Sequence, residues 1–205
     1  HHSRRLDGTD IKANNNLEQL LVEDSPLSDF FKKHKVTFKP HEGHIDLYYK
    51  GELQPLEDEF RYGGGNIYYL RSRLGYNKSQ DYCVNGFAFR SYLEKNQYFS
   101  LLSYCPELVG NIESLLDIHG MSTDYYNNSK YYCIEYLIPM TDVIFDMGYP
   151  PETVNEKTVE FLHQAILRLY DEWRGSNFEC DENLILRLSD DACVKPEWFV
   201  KAEEL

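Results

Sequence analysis

The sequence predicts an α+β fold, in which a mixed or mainly antiparallel sheet is packed by one long helix in the C-terminal half and by several short helices. Three observations predict this class. Residues 153–175 have helical periodicity, several short runs are rich in β-branched and aromatic residues, and these elements follow one another without a repeating β-α-β unit. We expect residues 17–205 to form a single domain, since single domains commonly contain about 100–200 residues.

The N-terminal segment, residues 1–16, is polar and ends in three consecutive asparagines. We interpret it as a tag or a disordered tail. A short helix is predicted over Leu17–Val22, because Leu17, Leu20 and Leu21 form one apolar edge. Pro26 interrupts this pattern, and residues 27–31 are predicted to add a second helical turn.

Three short strands are predicted next, over residues 36–38, 45–49 and 66–71, from their β-branched and aromatic content. The first two are expected to be connected through Pro40 and a turn around Gly43. Residues 52–59 contain four acidic side chains, so this piece is predicted to be an exposed loop.

The middle of the chain predicts two short helices, over residues 98–102 and 108–118, on either side of Pro106. Residues 131–138, with the sequence YYCIEYLI, follow as a strand. Because only Glu135 interrupts its apolar character, we expect this strand to be central and paired on both sides. Residues 184–188 and 193–200 are predicted to be closing strands.

The long helix of residues 153–175 is the best-defined element. Its start carries a capping-box pair, Thr153 and Glu156, and Gly175 follows where a left-handed C-terminal cap belongs. The apolar side chains recur at spacings of three and four. We therefore expect one face to pack against the core, namely Val159, Leu162, Ile166, Leu169 and Trp173.

The composition is that of a folded, acidic protein. Hydrophobic residues make up 42% and charged residues 27% of the 205, and the formal net charge is −13 with a sequence pI near 4.9. Such a charge repels phosphate backbones and anionic lipid, so neither nucleic acid nor a membrane is expected as a main partner. A basic protein partner fits the charge better.

Five cysteines are spread through the chain without short paired spacings. An odd number without a dense framework indicates reduced thiols, and hence a cytoplasmic location, or delivery into a host cytosol if the protein is an effector. The sequence contains no apolar run of the roughly 20 residues that cross a bilayer.

Candidate metal ligands are His34, His41 and His44. On an extended segment His41 and His44 would point to opposite faces, so they converge only if the chain turns at Gly43. Since no nearby cysteine completes a structural site, we predict no metal.

Two further patterns have non-catalytic explanations. Cys83, His119 and Asp124 supply the residue types of a thiol nucleophile, its base and an orienting acid, but Cys83 is better interpreted as a small buried side chain. The three glycines at 63–65, flanked by arginines, could bind an anion, but they precede a strand-like run and favour a hairpin loop.

The first functional hypothesis is an acidic protein-interaction module, of the kind found in inhibitors and immunity proteins, that binds a basic protein and needs no cofactor. An acidic loop beside an aromatic run provides the candidate contacts. These are Glu52, Glu57, Asp58, Glu59, Tyr68 and Tyr69.

The second hypothesis rests on a resemblance. Tyr48-Tyr49-Lys50-Gly51, then Gly120-Met121-Ser122-Thr123, then Glu179 and Glu182 occur in an order that resembles the three-part signature of mono-ADP-ribosyltransferases. The resemblance implies an enzyme that uses NAD, with Lys50 and Ser122 at the nucleotide and Glu182 stabilising an oxocarbenium-like transition state. The family has an arginine or a histidine at the first position, and Lys50 lacks the bidentate fork of arginine.

Overall fold

The computed structural model describes residues 1–56, 67–77, 80–175 and 183–205. Within them the chain forms three small antiparallel sheets and seven α-helices, which confirms the predicted α+β class. The helices are α1 (Leu17–Val22), α2 (Pro26–Lys33), α3 (Ile67–Arg73), α4 (Gln97–Leu102), α5 (Glu107–Leu116), α6 (Met121–Asn127) and α7 (Val154–Arg174). The strands are β1 (His2–Leu6), β2 (Val36–His41), β3 (His44–Tyr49), β4 (Glu52–Leu53), β5 (Asn85–Phe87), β6 (Ser129–Tyr136), β7 (Ile144–Phe145), β8 (Ile185–Arg187) and β9 (Phe199–Glu204).

The first sheet has the order β1-β6-β9, so β6 is paired on both sides, as its apolar sequence predicts. The second sheet is the β2-β3-β4 meander. It packs with the short helices around the largest core cluster, in which Phe31, Val36, Ile45 and Leu47 are fully buried.

The third sheet, β5-β8-β7, is the smallest, and it positions α7. Phe145 of β7 and Leu184, which precedes β8, are buried in a separate small cluster. Phe161 of α7 packs against this cluster from outside. The long helix is therefore attached to a peripheral sheet, away from the main core.

The N-terminal segment differs from the expected tail. Residues His2–Leu6 form β1, whose register pairs Leu6 with Ser129. Arg4 is buried there, and its guanidinium donates from Nε to Ser129 Oγ at 2.8 Å and from Nη2 to Tyr126 O at 3.0 Å. A polar sequence is buried here because carbonyl and hydroxyl oxygens from distant parts of the chain satisfy the arginine.

Two predicted strands have a different structure. Residues 66–71 were expected to be a strand, but Ile67–Arg73 is α3, whose Leu70 is buried in the core together with Leu74. The aromatic content favoured a strand, and packing overrode that preference. The last strand begins at Phe199 and not at residue 193, because Pro196–Trp198 forms a 3₁₀ turn before it.

The long helix has the predicted ends. The Glu156 N–H donates to Thr153 Oγ1 at 3.2 Å, and the Thr153 N–H donates to Glu156 Oε2 at 2.9 Å, which completes the capping box. Gly175 has a φ of 65°, in the left-handed region that favours glycine. Local sequence therefore determines where α7 begins and ends.

Candidate protein-interaction surface

The inward side of α7 is largely polar. Arg168 is buried, and its Nε donates to Ser91 Oγ at 2.8 Å while its guanidinium lies 5.5 Å from the centroid of the Phe89 ring. Phe161, about two turns earlier, stacks on the same Phe89 ring with centroids 5.3 Å apart. Near the helix start the buried Lys157 donates to Met140 O at 3.4 Å. A few specific contacts thus orient the helix.

The opposite side of α7 is apolar and open to solvent. Its side chains are 54% to 80% exposed, although the sequence predicted that they would face the core. We call them the α7 apolar face: Val159, Leu162, Ile166, Leu169 and Trp173. The five residues lie on one side of the helix, as predicted. That side faces solvent, however, and the prediction that it packs against the core was wrong. Periodicity shows which residues share a side of a helix, but it does not show what covers that side.

The exposed apolar area on this helix is large. Val154, Leu167 and Tyr170 are 43% to 50% exposed and flank the α7 apolar face. Together the eight side chains expose on the order of 900 Å², taking roughly 200 Å² for a fully exposed large apolar side chain. The largest apolar patch of a typical monomer is about 300–600 Å², whereas a stable protein interface buries roughly 800 Å² on each partner. The area fits an interface.

The spacing within the α7 apolar face matches a helical partner. Its five members follow one another at intervals of three, four, three and four residues. This is the pattern of the two apolar positions of a heptad repeat, whose side chains insert between those of a facing helix. A helix can therefore lie along the whole face.

The charges around this face are mainly negative. Two of the basic residues of α7, Lys157 and Arg168, are turned inward and buried. Its exposed basic residues are Arg174 and His163. The acidic residues in and next to the helix are exposed or half-exposed, namely Glu152, Glu156, Glu160, Asp171 and Glu172. Of these, Glu156 and Glu172 occupy the heptad positions beside the α7 apolar face, so the face favours a partner whose apolar strip is bordered by basic side chains.

The contact residues suggested by the sequence lie in another part of the molecule. Glu52 is exposed on β4, and the Tyr68 ring is exposed on α3. Tyr69 is half-buried, and burial, together with nearby groups that include Glu107, raises the pKa of its phenol. Glu57, Asp58 and Glu59 lie outside the described residues.

The residues of the transferase resemblance occupy a turn and a helix. Lys50 follows β3 with a φ of 53°, and its ammonium lies 4.5 Å from the Tyr49 ring centroid. Ser122 lies in the first turn of α6, where its hydroxyl donates to Glu113 and its N–H donates to Glu113 Oε2 at 2.9 Å. Glu182 lies outside the described residues. The resemblance therefore depends on the sequence alone.

The candidate thiol triad does not assemble. Asp124 accepts hydrogen bonds from Lys33 and from His34 Nε2, the latter at 2.8 Å, and His119 is exposed beside Asp117. Cys83 is buried, and burial raises the pKa of its thiol, which opposes thiolate formation. The structure thus agrees with the interpretation of Cys83 as a small buried side chain.

Comparisons with protein-family models, curated proteins and solved structures found no match to this chain. Among the described residues, none of the helices has both the length and the apolar character needed to span a membrane. The case for a function therefore depends on the surface of the molecule itself.

Proposed function

We propose that the protein is an acidic protein-interaction domain that binds a basic amphipathic helix of a partner protein along α7. The observation that carries this proposal is the exposure of the α7 apolar face on a helix whose ends are fully capped. Exposing so much apolar area to water is unfavourable, and covering it with a partner releases that free energy.

Charge selects among the occupants of this face. A second copy of the chain would bring another net charge of −13 and another set of carboxylates to the same surface. A helix with leucine or isoleucine at the heptad core positions and lysine or arginine beside them meets both the apolar strip and its acidic border.

Trp173 provides a direct test, because its ring is 80% exposed and lies within the face. We would titrate the protein with a helical peptide of about three heptads that has leucine core positions and lysine flanks. The expected result is a blue shift of tryptophan emission that disappears in Trp173→Phe, together with weaker binding at higher salt. A matched peptide with glutamate flanks should bind roughly tenfold more weakly or worse.

Variants separate binding from folding. Leu162→Glu with Ile166→Glu should reduce affinity for the basic peptide by about tenfold or more, since central apolar contacts dominate interfaces. Leu137→Glu is the control, because Leu137 is also more than half exposed but lies outside α7. Equal binding of both peptides would contradict the proposal. A concentration-dependent dimer that Leu162→Glu dissociates would assign the face to a second copy instead.

Glu52 and Tyr68 belong to the same proposal as a second, electrostatic contact region. Both side chains are exposed and so are available to a basic partner. Because Glu52 lies away from α7, its charge reaches the lysine-flanked peptide only through long-range attraction, so Glu52→Lys should lower the association rate at low salt and have little effect at high salt. An unchanged association rate would remove Glu52 from the contact.

A further inference from the structure

The β2–β3 hairpin brings two histidines together at its tip. Gly43 has a φ of 82°, which allows the tight turn, and the strand register pairs His41 directly with His44. Their imidazole rings are stacked, with centroids 4.7 Å apart and planes inclined by 13°. The chain therefore does turn at Gly43, which is the condition under which the sequence predicted that His41 and His44 would converge.

A carboxylate completes this group. Asp46 Oδ1 lies 3.1 Å from His44 Nε2, and Asp46 Oδ2 lies 3.4 Å from His41 Nδ1. One ligand atom from each of the three residues lies within 4.8 Å of the others. Two imidazole nitrogens and one carboxylate oxygen form a ligand set found in zinc sites and other transition-metal sites.

The carboxylate is held in place by a fourth side chain. Asp46 is only 12% exposed, and it also accepts a hydrogen bond from the Tyr76 hydroxyl at 3.1 Å. A donor that orients a ligating carboxylate from outside is a usual feature of metal sites. The His41 side chain is 61% exposed, so solvent and ions can reach the group from that side.

We propose that His41, His44 and Asp46 bind a divalent first-row transition metal, with Zn²⁺ as the representative ion. Metal–ligand distances of about 2.0–2.2 Å place neighbouring ligands of a tetrahedral site roughly 3.3 Å apart. One ligand atom from each residue already lies within 4.8 Å of the others, and rotation of the exposed His41 ring out of its stacked position would bring the set to this spacing. The fourth coordination position would face the solvent beside His41.

Metal binding is tested by titrating metal-free protein with Zn²⁺ in a calorimeter. We expect one Zn²⁺ per chain. His41→Ala and Asp46→Asn should each lower the Zn²⁺ affinity by at least about a hundredfold, since each removes a side chain that coordinates the metal directly. Tyr76→Phe should lower the Zn²⁺ affinity by about tenfold, because it removes the hydroxyl that orients the Asp46 carboxylate.

Two controls distinguish this site from other ligands in the chain. His34→Ala removes a histidine that bonds a carboxylate elsewhere, Asp124, and should leave Zn²⁺ affinity unchanged. With Co²⁺ as the probe, the spectrum should lack thiolate charge-transfer absorption, which excludes the cysteines as ligands. His41→Ala should keep its far-UV circular dichroism, because the side chain is mostly exposed. No binding to the wild-type protein, or full binding to Asp46→Asn, would overturn the proposal.

Discussion

Arg168 and Leu169 are neighbours in α7, and the arginine is the buried one: Arg168 is 8% exposed, and Leu169 is 65% exposed. The arginine is satisfied by Ser91 and packs on Phe89, whereas the leucine has solvent on its outer side. This reversal of the usual preference defines both how α7 is attached and which surface it presents.

The first prediction concerns the stability of this attachment. Arg168→Ala should lower the free energy of unfolding by about 1.5–3 kcal/mol, because it removes charge-assisted hydrogen bonds to Ser91 together with the packing on Phe89. Leu169→Ala should change it by no more than about 0.5 kcal/mol. Urea denaturation of both variants checks this pair. A larger loss in Leu169→Ala would mean that the leucine is buried in solution.

The second prediction concerns the N-terminal strand. Arg4→Ala should destabilise the protein by at least about 2 kcal/mol, because the carbonyl of Tyr126 and the hydroxyl of Ser129 would lose a charged donor. Lys12→Ala is the control, since Lys12 is exposed, and it should be neutral. Thermal unfolding of both variants would show whether β1 belongs to the folded unit. Equal unfolding midpoints for the two variants would mean that β1 does not contribute to the folded structure and that residues 1–16 are a tail.

The third prediction is a pH dependence of stability that originates at His2. Its ring packs against Phe87 and Phe99, with centroids 5.4 and 5.0 Å away, and its Nε2 has no hydrogen-bond partner among the described residues. Burial lowers the pKa of His2 to about 4 from the ordinary 6.5. The unfolded chain therefore binds a proton at a higher pH than the folded chain does.

The sign of this effect follows from proton linkage. Stability should be unaffected by His2 above pH 6.5 and should fall as the pH drops from 6.5 towards 4, by up to about 3 kcal/mol. His2→Phe should remove this part of the slope, because phenylalanine has no charge to desolvate. Chemical denaturation of both proteins at several pH values measures the difference. Parallel curves would exclude His2 as the source.

The fourth prediction compares two glycines. Gly43→Ala should destabilise the protein by about 1–2 kcal/mol, since a side chain at a φ of 82° is strained, and it should also weaken Zn²⁺ binding at the hairpin tip. Gly110→Ala, inside α5 where no described atom outside the adjoining helix backbone comes within 4 Å of the new methyl group, should stabilise by about 0.4–1 kcal/mol. Unfolding free energies and a Zn²⁺ titration check both variants. A neutral Gly43→Ala would contradict the turn geometry.

The sequence by itself determined the elements whose signals are local. The bounds of α1 and α7, the capping box at Thr153 and Glu156, and the central position of β6 were all predicted and are confirmed. Caps and periodicity act within a few residues, so they can be detected without knowing what lies around them.

Tertiary structure alone decided which surfaces are covered. Arg4 is buried because oxygens more than one hundred positions away surround it, and the α7 apolar face is exposed because Phe89 and Ser91 hold the opposite side of the helix. The convergence of His41, His44 and Asp46 likewise needed the hairpin register. Burial is a relation between distant segments, and a pattern within one segment does not encode the partner it meets.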